Sequence, residues 1–213
     1  MITLSGLESK LISSKERIRN QEKINFISYA DDFIITSADE ELLNNKVIPI
    51  IERFLAERGL ELSKEKTKIT HISKGVDFLG FNIRKYSNNK VLTKPAKENI
   101  KSFIKEIKET IMSNIPLQTD KLIHLLNPKI IGWCNYYKTV VSSRVFSYID
   151  SRIYKTLHYW TNRRHPNKGK RWIAKKYFTS YRLSEWRFYA KVKDKDGNIK
   201  LLYLKRASVS SVK

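Results

Sequence analysis

Asp31 and Asp32 stand side by side in the stretch Ile24–Ala38, INFISYADDFIITSA, between two runs rich in Ile, Phe and Tyr. Apolar runs of β-branched and aromatic residues broken by a short polar segment spell strand, turn, strand. The two acids are therefore expected at a hairpin tip. Carboxylates crowded there repel each other unless a cation joins them. Hard ions such as Mg²⁺ take one or two protein carboxylates and complete their shell with phosphates and water. The plainer alternative is that aspartate is a good turn former and both side chains face water. Neighbouring side chains on one strand point to opposite faces, so a metal centre here needs further carboxylates from another strand.

The elements around this tip can be read in order. Met1–Glu22 reads as a short helix running into a charged linker, with Ile2, Leu4, Leu7, Leu11 and Ile12 in need of a partner surface. After the hairpin, Ser37-Ala38-Asp39-Glu40 fits a capping box with Ser37 as the cap. Leu43, Val47, Ile50 and Phe54 then recur at helical spacing, Pro49 should break the ladder inside that helix, and Gly59 should end it. Leu60–Ile72 and Gly75–Lys85 read as two further strands.

Downstream the composition changes. The chain has 213 residues, 42 of them Lys or Arg and 21 Asp or Glu, for a net charge of +21. Residues 1–90 hold 15 basic and 13 acidic residues, and residues 91–213 hold 27 and 8, so +19 of the charge lies in the second part. Such a surface favours polyanions, and nucleic acid is the commonest. A membrane partner is not expected: no apolar run approaches the roughly 18 residues of a span, and no basic amphipathic anchor stands out. Secretion is not expected either, for want of a signal-like N-terminus. The single Cys134 allows no internal disulfide, and the four scattered histidines lack zinc-site spacing. Gly169-Lys170 is not part of a phosphate loop.

This basic part reads as helices. Ala96–Met112 is one, ended by Pro116; a short one over Asp120–Leu126 follows; Asn127 caps a third over Pro128–Val141. A long helix runs from Ser142 or Ser143 to about Arg163, with Phe146, Ile149, Ile153, Leu157 and Trp160 on its apolar face. After the loop His165–Arg171 come a short helix, Trp172–Phe178, and a hairpin of Trp186–Lys193 with Ile199–Lys205 around Asp196-Gly197-Asn198, its last residues frayed. The fold class expected is α+β, divided into residues 1–90, 91–178 and 179–213.

The order of the YADD hairpin, capped helix, GLELSKEKTKIT, FLGF and LNPKIIGWCNYY, followed by SYIDSRIYKTLHYWTNRRHP, resembles the C-terminal part of a group II intron reverse transcriptase/maturase. The resemblance implies a partial palm sheet (hairpin, helix, two strands), then a basic helical thumb or maturase bundle, then the C-terminal hairpin. It assigns metal binding and catalysis to Asp31 and Asp32, with Mg²⁺ as cofactor. It places Tyr29, Ala30, Lys66, Phe78, Leu79, Gly80 and Phe81 on the primer and nucleotide side. Asn127, Gly132, Trp133, Tyr136 and Tyr137 match positions that pack the bundle.

The resemblance also implies structured intron RNA as partner and a DNA primer or target as a second one. Lys138, Arg144, Arg152, Lys155, Arg163, Arg164, Lys168, Lys170, Arg171, Lys175 and Lys176 are the candidate RNA contacts, through phosphates. The fingers and the earlier palm strand with its further aspartate are not found in this sequence. RNA-directed DNA polymerisation is accordingly expected only with a separate N-terminal chain, in a bacterial cytoplasm or organellar matrix. The rival expectations are a non-catalytic RNA-binding remnant and an inert truncated fragment.

Overall fold

In the computed structural model, the described residues are 6–11, 23–181 and 185–210. They form two compact units, Met1–Lys74 and Gly75–Lys213. Both mix helices with small antiparallel sheets, in keeping with the α+β class.

The first unit holds α1 (Leu7–Leu11), β1 (Asn25–Tyr29), β2 (Asp32–Thr36) and α2 (Ile48–Ala56). β1 and β2 pair as a two-stranded sheet with Phe26 opposite Ile35 and Tyr29 opposite Asp32. Period-two alternation puts Phe26, Phe33 and Ile35 on the face that meets the core. The core itself is Leu7, Leu11, Ile24, Val47, Ile51, Phe54 and Leu55. Leu7 and Leu11 therefore find the partner surface they need within the chain. Ile2, Leu4 and Ile12 lie outside the described residues.

The helix entry differs from the capping box. Asp39 is the N-cap, its side chain accepting from the Glu41 amide at 3.0 Å, and Ser37 only accepts from the Asp39 amide. An α turn (Glu40–Leu42) passes into a π turn (Leu43–Val47) before α2. Pro49 gives the reason: it has no N–H for an i−4 carbonyl, so the ladder widens just before it. Gly59, at φ +69°, ends the helix in a Schellman motif, with Gly59 N–H on Ala56 O and Leu60 N–H on Leu55 O.

Leu60–Ile72 is not a strand. It is turn and irregular chain, with the Lys66 and Thr67 amides donating to Ser63 O. Alternation becomes a strand only where another strand pairs with it, and none does so among the described residues. Gly75–Lys85 is not one strand either. It folds back as β3 (Val76–Phe78) and β4 (Phe81–Lys85), and β5 (Val91–Pro95) completes a three-stranded meander. The turn, Leu79-Gly80, has φ +48° and +79°, the sign pattern of a two-residue I′ hairpin.

The helices of the second unit are α3 (Lys97–Ser113), α4 (Thr119–Tyr137), α5 (Ser143–Arg164) and α6 (Lys170–Tyr177); a sheet of β6 (Phe178–Tyr181), β7 (Glu185–Lys193) and β8 (Ile199–Tyr203) follows. One core joins them, from Phe103, Ile107 and Ile111 on α3 to Phe188, Leu204 and Ala207.

Two expected helices are one. α4 runs through Pro128, so Asn127 is no cap. The buried stripe Leu122, Ile123, Leu126, Ile130, Cys134 and Tyr137 continues across the proline, and packing outweighs one lost hydrogen bond. Pro128 and His124 are both exposed, so the carbonyl released by the proline lies on the solvent side.

Asn127 serves the tail instead. Its Nδ2 donates to Tyr203 O at 3.2 Å and its Oδ1 accepts from the Lys205 amide at 2.7 Å, as a neighbouring strand would. Asp150 adds a second clamp: its carboxylate accepts from the Ala207 and Ser208 amides at 2.7 and 3.0 Å and from Arg206 Nε at 3.4 Å. These bonds hold a 3₁₀ turn, Ala207–Ser210, where fraying was expected.

His158 lies between the helices and the tail sheet, stacked on Phe178 at 4.6 Å with Tyr154 edge-on at 4.5 Å. Burial pulls its pKa below the usual histidine value. The neutral ring is thus the folded form, and the unfolded chain takes the proton first as pH falls through about 6.5. The stability this site contributes is present above that pH and lost below it. Unfolding by urea at pH 7 and pH 5 should show a lower midpoint at pH 5. His158→Phe, which keeps the stack, should shrink the difference. His165, pulled down by burial first and then by Lys176, Arg164 and Lys168, titrates in the same direction and retains the rest.

Candidate nucleic-acid interface and acidic hairpin

α5 positions the candidate RNA-contacting side chains by helical geometry. Phe146, Ile149, Ile153, Leu157 and Trp160 bury one stripe, as expected from their spacing. On the opposite side Arg144, Tyr148, Arg152, Lys155, Tyr159 and Arg163 follow at steps of three and four, which aligns them on one exposed face. Tyr148 and Tyr159 are 52% and 54% exposed. The helix's acid, Asp150, is on the flank and engaged with the tail.

The cation field continues into α6. Lys168, Lys170, Arg171, Lys175 and Lys176 are exposed, as is Lys138 just after α4. Lys168 and Lys176 lie over the Trp172 ring at 5.6 and 4.7 Å. Between Asp150 and Glu185 the sequence has ten lysines and arginines and no acid. This unbroken run is the signal that marks the basic face most sharply. Arg164 departs from the group. It turns inward, donating to Leu117 O and covering Trp160 at 4.6 Å from the ring centre.

The residues expected to pack the bundle have distinct roles. Trp133 stacks on Phe103 at 4.9 Å and meets Tyr137 and Phe146. Gly132 is exposed on α4, with open space where a Cβ would stand, so packing gives no reason for glycine there. Tyr136 and Tyr137 reach the β3–β4 turn: Tyr136 Oη donates to Leu79 O at 2.9 Å and Tyr137 Oη to Gly80 O at 3.2 Å. Phe81 stacks on Tyr136 at 5.0 Å and meets Tyr137 edge-on. Two motifs far apart in sequence, FLGF and NYY, thus form one joint. Burial raises the Tyr137 pKa, so the hydroxyl stays protonated as a donor.

This joint explains Gly80. A Cβ there would lie 2.8 Å from Tyr137 Oη and 3.0 Å from Asn99 Nδ2, at φ +79°. Gly80→Ala should destabilise the helical unit by about 2–4 kcal/mol, combining a left-handed backbone cost with overpacking. Adding Tyr137→Phe, which removes the clashing hydroxyl, should recover part of the loss. Urea midpoints of the two singles and the double measure the coupling.

The acidic hairpin is built as expected at its tip. The two-residue loop is Ala30-Asp31, with Ala30 at φ +53°, and Asp32 opens β2. Tyr29, Ala30, Asp31 and Asp32 are all exposed. Tyr29 shares with Ile27 and Asp32 the hairpin face turned away from the core, where Ile27 and Tyr29 are 57% and 63% exposed. Lys66 is exposed in a turn of the same unit rather than on a strand. Phe78, Leu79, Gly80 and Phe81 belong to the second unit. Among the described residues, no group of three His, Cys, Asp or Glu converges to hold a metal ion. Asp31 and Asp32 alone are a partial donor set for Mg²⁺.

Comparison with known proteins gives the class. Residues 5–83 match the family model described as reverse transcriptase (RNA-dependent DNA polymerase), and residues 100–178 match that of the group II intron, maturase-specific domain. The two matches together support a group II intron reverse transcriptase/maturase fragment. Among curated relatives it is similar to the Group II intron-encoded protein LtrA of Lactococcus lactis subsp. cremoris, and to that of strain MG1363, at 28% identity over 143 aligned positions. The alignment covers 54% of this chain and 24% of the relative, so the chain spans about a quarter of that protein's length. No helix among the described residues is long and apolar enough to cross a membrane.

Proposed function

We propose that this chain binds structured group II intron RNA through the α5–α6 face and so assists splicing. The observation that carries the reading is the acid-free, tyrosine-studded cation face, which lies within the segment matching the maturase-specific domain. Lysines and arginines neutralise phosphates and release counterions, while exposed tyrosines offer flat surfaces to unpaired bases. The rigid core behind the face holds the cations in a set spacing that a folded RNA can meet. The work is done in a bacterial cytoplasm or organellar matrix, in association with nucleic acid. The test is binding of group II intron RNA by the whole chain across a salt series, together with splicing of that RNA at limiting Mg²⁺. Steeply salt-dependent binding with faster splicing supports the reading; affinity that ignores salt overturns it.

A second reading concerns the hairpin, and its exposed outer face with acids at the tip favours it. Asp31 and Asp32 form one wall of an RNA-directed DNA polymerase centre when a separate N-terminal reverse-transcriptase chain supplies the opposite wall and a further carboxylate. A DNA primer or target is then a partner. Mg²⁺ bound there would supply Lewis-acid stabilisation of the phosphoryl oxygens. This chain's residues contribute ligands and the Tyr29-Ala30 platform beside them. Primer extension on an RNA template, with both chains mixed, decides. Extension that survives Asp31→Ala removes the assignment.

A further inference from the structure

A cleft of about 250 Å³ opens between the flank of α5 and the start of β7. Its floor is apolar: Ile153, Leu157, Phe178, Phe188 and Leu204. Trp186 and Tyr154 both line it and remain 59% and 44% exposed.

Trp186 is the informative residue. Alternation along β7 puts it on the same face as Phe188 and Ala190, which are buried in the core. The core-facing side of the sheet thus continues outward past the core, and a large ring overhangs the cleft there. Ser147, Ser151 and Lys205 also line it, and Lys205 is exposed. Asp150 lines it too, but its carboxylate is engaged with the 206–208 segment. The volume is below the range of about 300–1,000 Å³ that suits drug-sized ligands, which favours a single flat ring system over a larger molecule.

We propose that this cleft takes one unpaired base of a bound RNA, stacked on Trp186 and Tyr154, with Lys205 at the adjoining phosphate. The inference rests on the RNA-binding reading above and adds a site outside the α5–α6 face. Charge complementarity selects the occupant: a flat aromatic ring carrying a flanking anion meets two exposed rings beside the Lys205 cation. A base held in a duplex cannot enter, so the site reads unpaired nucleotides.

The experiment uses the whole chain and two probes, a short single-stranded RNA and a blunt duplex RNA of the same sequence, at one salt concentration. Trp186→Ala should weaken single-strand binding by about 5- to 100-fold, the range for one base–aromatic stack, and leave duplex binding within about twofold. Trp186→Phe, which keeps an aromatic face, should restore most of the single-strand affinity. The salt dependence should be the same in all three proteins, because no charge has changed. Unchanged single-strand binding by Trp186→Ala, or an equal loss on both probes, overturns the cleft proposal alone. Failure of the unaltered chain to bind either RNA overturns the RNA-binding reading and this proposal with it.

Discussion

Replacing Arg144, Arg152, Lys155 and Arg163 together by glutamine should lower affinity for structured RNA by about 10²- to 10³-fold near 0.1 M salt. The four side chains share one exposed face of α5, with no acid on that face to neutralise them. If each meets one phosphate, about four condensed counterions fewer are released, and the slope of log K against log salt should flatten by about 4. Glutamine keeps the helix and most of the side-chain stem, so the urea midpoint should stay within about 0.5 kcal/mol equivalents. The same fourfold change at Lys64, Lys66, Lys68 and Lys74, in the first unit, should cost much less if the interface lies on α5. Filter binding across a salt series reads both quantities. A slope that does not move would place the phosphates elsewhere.

Trp160→Ala should remove most of the stability of the helical unit, at a cost of about 3–5 kcal/mol. Trp160 is fully buried, and its Nε1 donates to Asn114 O at 3.0 Å in the loop between α3 and α4. Its ring meets Tyr177 and Phe188 edge-on and lies under Arg164. One side chain therefore joins the α3–α4 loop, α5, α6 and the tail sheet. A domain holds only about 5–15 kcal/mol in all, so the loss is a large fraction of it. Trp160→Phe fills most of the space and leaves the Asn114 carbonyl with the Leu117 amide at 3.2 Å as donor, so the lost indole bond should cost about 0.5–1.5 kcal/mol. All four tryptophans lie in the second unit, so the remaining fluorescence, from half-buried Trp133 and exposed Trp172 and Trp186, follows that unit's unfolding and ignores the first.

Much of this architecture was legible in the sequence where periodicity and burial coincide. The α5 stripe from Phe146 to Trp160, the hairpin tip at Asp31-Asp32 and the Asp196-Gly197-Asn198 turn fall where local pattern puts them, because each is decided by neighbours within a few residues. What escaped was decided at long range. Pro128 reads as a helix start, yet the stripe through Leu126 and Ile130 carries the helix past it. Asn127 reads as a cap, but its partners are Tyr203 and Lys205. Leu60–Ile72 alternates like a strand, and no local signal tells that a pairing strand is lacking among the described residues.

The candidate site divides the same way. Charge counting identifies the basic face, but only the fold separates Arg164, turned onto Trp160, from Arg163, turned outward one residue earlier. FLGF and NYY are each visible as motifs. That two tyrosine hydroxyls close on the backbone carbonyls of Leu79 and Gly80 is a fact of geometry. Trp186 stood out in sequence only as one more strand residue.

The clamps on the tail bear on how the protein comes to be made. Asn127 and Tyr203 are 76 residues apart, and Asp150 and Ala207 are 57 apart. Leu204 and Ala207 belong to the same buried core as α3 and α4. During synthesis α3, α4 and α5 emerge well before the strand that seals them, and long-range closure of this kind is slow. The growing polypeptide therefore presents an unsealed bundle to the cell until its tail leaves the ribosome. A nascent chain stalled at residue 195 should recruit chaperones and resist protease poorly, while one stalled with residue 210 fully emerged should be protected.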